Sequence, residues 1–221
     1  MKVTDFGVAV VERDTHIGKW VQEHKRLDFD QNTLPYIMEF IKPGDVVVDV
    51  GANIGAYAYA FAKKASIVYC FEPNTECFEC LLFNMKGLDN VEIFKVALGG
   101  IVCHGTPVVE NNNMGMAYMR VESDGQVNIN PLDCYSFSKV DFIKIDCEGM
   151  ELGVLKGAQH TITKFHPTMY IEINDYTLER NGLTKHDIFN FLNENGYTYR
   201  NIYPNQEMND SQFDIICTWE R

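Results

Sequence analysis

Through most of this chain, short apolar runs alternate with segments whose apolar positions recur at helical spacing. Parallel strands joined by crossover helices produce that rhythm, because a strand covered on both faces reads as a near-continuous apolar run. Val46 to Val50 is the first clear strand, introduced by the turn Lys42-Pro43-Gly44-Asp45, and a helix with Ile54, Tyr57, Ala58 and Phe61 on one face follows it. Strand two runs from Ile67 to Phe71. Pro73 breaks it, Asn74 caps a helix running toward Lys86, and Gly87 supplies the stop signal. Val91 to Val96 reads as strand three.

From Ala97 to about Pro131 the rhythm changes. Glycines, the run Asn111-Asn112-Asn113 and short alternating segments predict β-hairpins, so 97–131 is read as an insertion after strand three. Alternation resumes with a strand from Asp141 to Asp146, a helix from Glu151 to about Thr163, and a strand from Thr168 to Ile173. Thr184 caps the next helix, with Asp187 at its third position and Leu183 and Ile188 as a hydrophobic staple; Gly196 ends it. Tyr197 to Tyr203 and Phe213 to Trp219 form a closing pair of strands, separated by the polar stretch from Pro204-Asn205-Gln206 to Asp210. Ahead of strand one, 1–42 is an N-terminal extension with a strand at Val8 to Glu12 and a helix at Thr33 to Ile41. Its middle, containing Asp14, His16, Ile17, Trp20 and Asp30, either covers a ligand or packs against the sheet edge. No repeat or low-complexity linker divides the chain, which predicts a single doubly wound α/β domain over 1–221.

Composition narrows the partners. Hydrophobic residues make up 46%, enough for a sizeable core, and 19 Lys+Arg against 31 Asp+Glu give a formal charge of -12. Such a surface repels polyphosphate and anionic lipid, so neither nucleic acid nor membrane is expected as a partner. The densest basic stretch, Lys19 to Arg26, is interrupted by acids and apolar residues. The N-terminus lacks the apolar core of a secretion signal, and no apolar run is long enough to cross a bilayer, which predicts a soluble, cytoplasmic protein. Seven cysteines then favour free thiols over a disulfide framework. Cys77 and Cys80 have the spacing of a metal or redox pair, but no second such pair exists and both fall within a helix, so packing is expected of them. Six scattered histidines (His16, His24, His104, His160, His166, His186) form no spaced ligand pair with a neighbouring acid or cysteine, so no metal is expected.

Three constellations carry chemistry. Asp49-Val50-Gly51-Ala52-Asn53-Ile54-Gly55 closes a strand and opens a helix, and its small residues let a ligand approach backbone N–H groups. Its order, D-x-G-x-N-x-G, differs from the G-x-G-x-x-G of dinucleotide sites. A carboxylate at Asp49 opposes a diphosphate and suits a ligand with an ammonium and a sulfonium; a purely structural glycine turn is the alternative. Glu72 ends strand two, 17 residues beyond Gly55, where an acid accepts hydrogen bonds from both hydroxyls of a ribose, unless it is an ordinary exposed strand-end glutamate. Finally, the segment Asp141 to Gly149 delivers Asp146 and Glu148 to the edge that holds Gly51 and Glu72. Lys144 within this apolar strand needs a partner, and Asp146, two residues on, has the same facing; a structural ion pair and a catalytic role both remain open.

The residues resemble the FkbM-type methyltransferases. The likeness rests on Asp49 to Gly55, on Phe71-Glu72-Pro73-Asn74, and above all on Ile143-Lys144-Ile145-Asp146-Cys147-Glu148-Gly149-Met150-Glu151 followed by Val154-Leu155-Lys156-Gly157-Ala158, with Ile171-Glu172-Ile173 as a further match. It covers about Pro43 to Asn174; Cys147 and Met150 stand where the family more often has valine and alanine. The resemblance implies a Rossmann-like class I methyltransferase fold, a mostly parallel sheet with an antiparallel final strand. It also implies methyl transfer from S-adenosyl-L-methionine to a hydroxyl, less often a nitrogen, of a small molecule or sugar. On that carry-over Gly51, Asn53 and Gly55 frame the methionine end of the cofactor, Glu72 holds the ribose, and the backbone around Val96, Ala97 and Leu98 neighbours the adenine; Asp49 and Pro73 are expected beside them as cofactor contacts, and Asp146 as a positioning or cofactor contact.

An attacking hydroxyl must lose its proton, and Glu148 is the expected acceptor-side base, with His104 as the rival and a helix-capping role as the structural alternative for Glu148. Acceptor choice is expected from Asn111, Asn112, Asn113 and Met114. Two other readings compete: a nicotinamide-dependent oxidoreductase, disfavoured by the missing glycine fingerprint, and a noncatalytic binding domain of the same fold.

Overall fold

The computed structural model describes residues 1–28, 32–203, 207–208 and 210–220. Asp30 of the extension and Pro204-Asn205-Gln206 of the polar stretch lie outside the described residues. The extension holds β1 (Lys2–Val3), β2 (Ala9–Val10), α1 (Ile17–His24) and α2 (Leu34–Phe40). The alternating region then gives β3 (Val46–Val50), α3 (Ala56–Ala62), β4 (Ile67–Phe71), α4 (Thr75–Asn84) and β5 (Val91–Phe94). The insertion forms β6 (Ala97–Leu98), β7 (Cys103–Val108), β8 (Tyr118–Val121) and β9 (Val127–Asn130). The second half comprises β10 (Phe142–Ile145), α5 (Glu151–Gly157), α6 (Gln159–Phe165), β11 (Thr168–Asn174), α7 (Asp175–Arg180), α8 (Lys185–Glu194), β12 (Tyr197–Asn201) and β13 (Gln212–Trp219).

Seven strands form the central sheet in the order β12-β13-β11-β10-β3-β4-β5. β11, β10, β3, β4 and β5 are mutually parallel, while β13 runs antiparallel to both of its neighbours. Progress along the sheet reverses between β3 and β10, and the crevice at the carboxyl ends of strands at such a reversal is where open α/β sheets bind ligands. Each sheet face has its own core. Val47, Val68 and Phe142 pack with Ile37, Ile54, Phe61 and Leu81 on one side. Val48, Ile143, Ile145 and Ile171 pack with Leu155, Ile162, Ile188 and Leu192 on the other. Full burial of each such side chain contributes about 1.5–3 kcal/mol.

Local signals hold where they were strongest. Asn74 caps α4, its Oδ1 accepting from the N–H groups of Glu76 (2.9 Å) and Cys77 (3.2 Å). Thr184 and Asp187 form a capping box on α8, and Cys77 and Cys80 are free and buried. The single helix expected from Glu151 to about Thr163 is instead two, α5 and α6, parted at Ala158. Its second half is started from afar: Asp133 accepts from the N–H groups of His160 (2.7 Å) and Thr161 (2.9 Å). Gly157 also lies against Gly99, whose carbonyl oxygen would be 2.0 Å from a β-carbon there.

The insertion is a small sheet of its own, ordered β6-β9-β7-β8, with β7 antiparallel to β8 and β9. No helix among the described residues is long and apolar enough to cross a membrane.

Candidate active site

The turn after β3 is held from three sides. Gly51 and Ala52 donate their N–H groups to the Phe71 carbonyl at the end of β4 (3.0 and 3.1 Å). Gly51 has φ +77, and a β-carbon there would fall 1.9 Å from the Asp146 carbonyl oxygen, so only glycine lets the turns after β3 and β10 touch. Asn53, also in the left-handed region at φ +52, donates its N–H to Glu72 Oε2 (2.8 Å) and its side-chain amide to the Met114 carbonyl (3.1 Å). Gly55 is outside the cavity lining and closely packed: a β-carbon there would meet Met85 and Leu81 at 2.7 and 2.8 Å.

A cavity of about 630 Å³ opens along the carboxyl ends of β4, β3, β10 and β11 and the amino end of β13, within the range usual for small-molecule sites. Glu72 and Pro73 line it beside β4, Val96 and Ala97 follow β5, Gly51 and Asn53 follow β3, and Asp146 and Glu148 follow β10. The extension and the insertion close over it. His16 and Ile17 line it from one, Asn113 to Met119 from the other. Asp14, only 4% exposed, joins them, accepting from the N–H groups of His16 (3.1 Å), Gly18 (2.7 Å) and Met114 (3.2 Å). The middle of the extension therefore covers the cavity instead of packing at the sheet edge.

Electrostatics divide the site. Glu72 is buried, and its carboxyl is pushed up to about 7, chiefly by burial, against the pull of the Asn74 and Asn53 N–H groups that it accepts. Lys144 and Asp49 are register partners on adjacent strands, both fully buried. The ammonium lies 3.1 Å from Asp146 Oδ2 and 3.6 Å from Asp49 Oδ1, and sits over the Tyr57 ring at 5.0 Å. Burial opposes the Lys144 charge, but Asp146 and Asp49 overcome it and hold its pKa above the usual range. The ion pair expected between Lys144 and Asp146 thus exists, and Asp49 extends it.

Glu148, with φ +56, is pushed up to about 8 by burial and then by Asp146 and Glu151. It does not cap α5, which has no side-chain cap; Glu151 instead braces the turn ahead of the helix, its Oε1 accepting from the N–H groups of Cys147 (3.2 Å) and Gly149 (3.0 Å). Glu148 Oε2 is buried without a hydrogen-bond partner.

Of the expected site residues, Gly51, Asn53, Glu72, Pro73, Ala97, Asn113, Met114, Asp146 and Glu148 line this cavity. Asp49 does not; it lies beneath the site, paired to Lys144. His104 does not either, because its register on β7 opposite Asn128 leaves it exposed on the small sheet. Asn111 and Asn112 are exposed outside the lining and act as a clasp. Their carbonyls accept from Thr15, and Asn112 Oδ1 accepts from Arg13 Nη1 (2.9 Å). Sequence reasoning placed Asp14 in the covering segment and Glu172 in the family match without giving either a role in the site, and missed Tyr118. Only Glu172 carried a signal, as a charge inside an apolar strand, the same signal that drew attention to Lys144.

Comparison with known proteins bears on the same residues. Residues 49–199 match the family model described as the methyltransferase FkbM domain. The hexuronic acid methyltransferase AglP of Haloferax volcanii is 28% identical over 144 residues, covering 60% of this chain and 58% of that protein. The 2-O-methyltransferase NoeI of Sinorhizobium fredii is 28% identical over 177 residues, covering 68% and 72%. The crystal structure of an FkbM methyltransferase from Methylobacillus flagellatus aligns with a TM-score of 0.54 at 18% identity, over 84% of this chain and 50% of that one, a likeness of fold. This chain spans less than two thirds of AglP, but the family match covers its site-bearing half from Asp49 through Glu172. The chain belongs to the FkbM methyltransferase family.

Proposed function

We propose that this protein transfers the methyl group of S-adenosylmethionine to a hydroxyl of a sugar or another small molecule. The observation that carries this reading is a single cavity at the switch point of the sheet, with Glu72 on one wall, the Gly51 turn in the middle and Asp146 and Glu148 beyond it. The residues present fit the cofactor. Glu72 faces the cavity, and each of its oxygens accepts one backbone N–H and retains capacity for a ribose hydroxyl. The backbone of Gly51 to Asn53 frames the methionine end, and Ala97 with its neighbours flanks the adenine. When bound, S-adenosylmethionine supplies a methyl group activated by its sulfonium.

This chain's part is to align the acceptor and take its proton. Asp146, steadied by Lys144, is the positioning carboxylate, and Glu148, with an oxygen that no protein group satisfies, is the acceptor-side base. Asn113 and Met114 in the roof contribute to acceptor choice. The names of AglP and NoeI, a hexuronic acid and a 2-O-methyltransferase, favour a sugar hydroxyl over a nitrogen. The charge of -12 and the carboxylates at the acceptor end disfavour nucleic acid. A nicotinamide cofactor is disfavoured because Asp49 to Gly55 lacks the dinucleotide fingerprint.

Calorimetry tests the assignment. S-adenosylhomocysteine should bind and NAD should not, and Glu72→Ala should weaken binding by about 1.5–3 kcal/mol, the range for hydrogen bonds to a charged group. An unchanged affinity would remove Glu72 from the ribose site.

A further inference from the structure

We infer that Asp146, Glu148 and Glu172 form a site for one hard divalent cation at the acceptor end of the cavity. Asp146 and Glu148 stand in the turn after β10 and Glu172 within β11, and all three line the cavity. One carboxylate oxygen from each lies within 4.8 Å of the others. Three oxygens spread evenly around one Ca²⁺ stand about 4.0–4.5 Å apart, from Ca–O distances of about 2.3–2.6 Å, so side chains within 4.8 Å of one another need to draw in by less than about an ångström to hold one. A smaller Mg²⁺, with Mg–O distances of about 2.0–2.1 Å, would need them to close further, to about 3.5 Å apart. A donor set of carboxylate oxygens alone selects Mg²⁺, Ca²⁺ or Mn²⁺ over zinc or copper.

Acidic clusters on protein surfaces are common and mean little; this one has a buried member left unsatisfied. Glu148 is 7% exposed, faces the cavity, and its Oε2 has no hydrogen-bond partner in the protein. Lys144 is engaged by Asp146 and Asp49, and the Arg180 guanidinium, which bears on Glu148 and stacks over Tyr118 at 3.6 Å from the ring centroid, makes no hydrogen bond to it and has its own Nη1 buried without a partner. Gln212 donates to Glu172 Oε1 (2.9 Å) and fixes the orientation of that carboxylate, as outer partners of metal ligands do. Asp146 and Glu148 are neighbours in the sequence, but Glu172 joins them only through the pairing of β10 with β11.

The ion's use rests on the reading of this cavity as a methyl-transfer site. Three protein ligands leave coordination positions open toward the cavity for two oxygens of a polyhydroxylated acceptor, and a Glu148 bound through one oxygen keeps the other for the acceptor's proton. Binding of the metal itself does not depend on that reading.

The test is Mn²⁺ alone, titrated into the full chain and followed by the loss of free-ion signal in electron paramagnetic resonance, with calorimetry of S-adenosylhomocysteine alongside. One saturable site is expected. Glu148→Gln and Glu172→Gln should each weaken it by at least the roughly 10- to 100-fold that loss of an outer partner alone costs. Their S-adenosylhomocysteine affinity should match wild type, which also reports that the variants are folded. Wild type that binds Mn²⁺ no better than the two variants would overturn the site, whatever its cofactor affinity. A single Mn²⁺ site in a protein that fails to bind S-adenosylhomocysteine would keep the site and sink the methyltransferase reading.

Discussion

The carbonyl oxygen of Asp146 occupies the space that a side chain at Gly51 would need, 1.9 Å from the position of a β-carbon there. The two turns that face each other across the switch point therefore meet backbone to backbone. Gly51→Ala would add about 1–2 kcal/mol for left-handed backbone to about 1–3 kcal/mol for overpacking. Gly44→Ala has a similar φ of +90 and nothing within 4 Å, so it should incur only the first. Urea denaturation should thus separate the two variants clearly; equal losses would mean that the contact with Asp146 does not constrain the turn.

Cofactor affinity should depend on the charge of Glu72. Burial raises its carboxyl from 4.5 to about 7 in the ligand-free protein, so it gains a proton as pH falls through 7 and one oxygen stops accepting. S-adenosylhomocysteine binding favours the ionised form, so affinity should fall about tenfold per pH unit below that point and flatten above it. The sign for stability is opposite. A raised folded-state pKa contributes stability that is complete below the unfolded value and lost as pH rises through about 7. Calorimetry from pH 5.5 to 8.5 checks the first, and Glu72→Gln should remove the pH dependence from both.

Much of this was legible in the chain because the signals were local. The run Val46 to Val50, the Asn74 cap and the Thr184 box depend on neighbours within a few residues, and they appear where the pattern puts them. Glu72 and the Gly51 turn were legible for the same reason, as ends of apolar strands. What failed to show depends on distant partners. The break at Ala158 comes from Asp133 and Gly99, the junction of extension and insertion from Asp14 and Met114, and the meeting of Glu148 with Glu172 from the parallel pairing of β10 and β11. His104 and Asn112 were credited with chemistry because residue type alone cannot tell which face of a small sheet or which side of a loop turns toward the cavity.

Asp14 should matter more than its ion-paired neighbour. Asp14→Ala would leave the N–H groups of His16, Gly18 and Met114 without their shared acceptor, at a cost of about 1.5–3 kcal/mol for bonds to a charged group. Arg13 is exposed and paired with Glu76, and its removal should cost under about 1 kcal/mol. Hydrogen exchange at the Met114 amide should accelerate in the first variant and stay unchanged in the second. Equal acceleration in both would make the surface pair, not the buried aspartate, the clasp.

Removing the proposed base should separate chemistry from binding. General-base catalysis contributes about 100- to 10,000-fold, so Glu148→Gln should lower turnover by at least the smaller factor while S-adenosylhomocysteine affinity holds. His104→Ala, exposed on β7 outside the cavity, should leave both intact. Steady-state rates at fixed pH with calorimetry on the same samples decide this, and the reverse pattern would move the base into the insertion.

The central claim, methyl transfer to a hydroxyl, is tested most directly by incubating the protein with methyl-labelled S-adenosylmethionine and a panel of sugars, then treating the products with alkali. An ether on a hydroxyl survives alkali and an ester on a carboxylate does not. The account predicts alkali-stable label in at least one sugar, lost in Glu148→Gln. Label that alkali releases, or none in any acceptor while S-adenosylhomocysteine still binds, would contradict it.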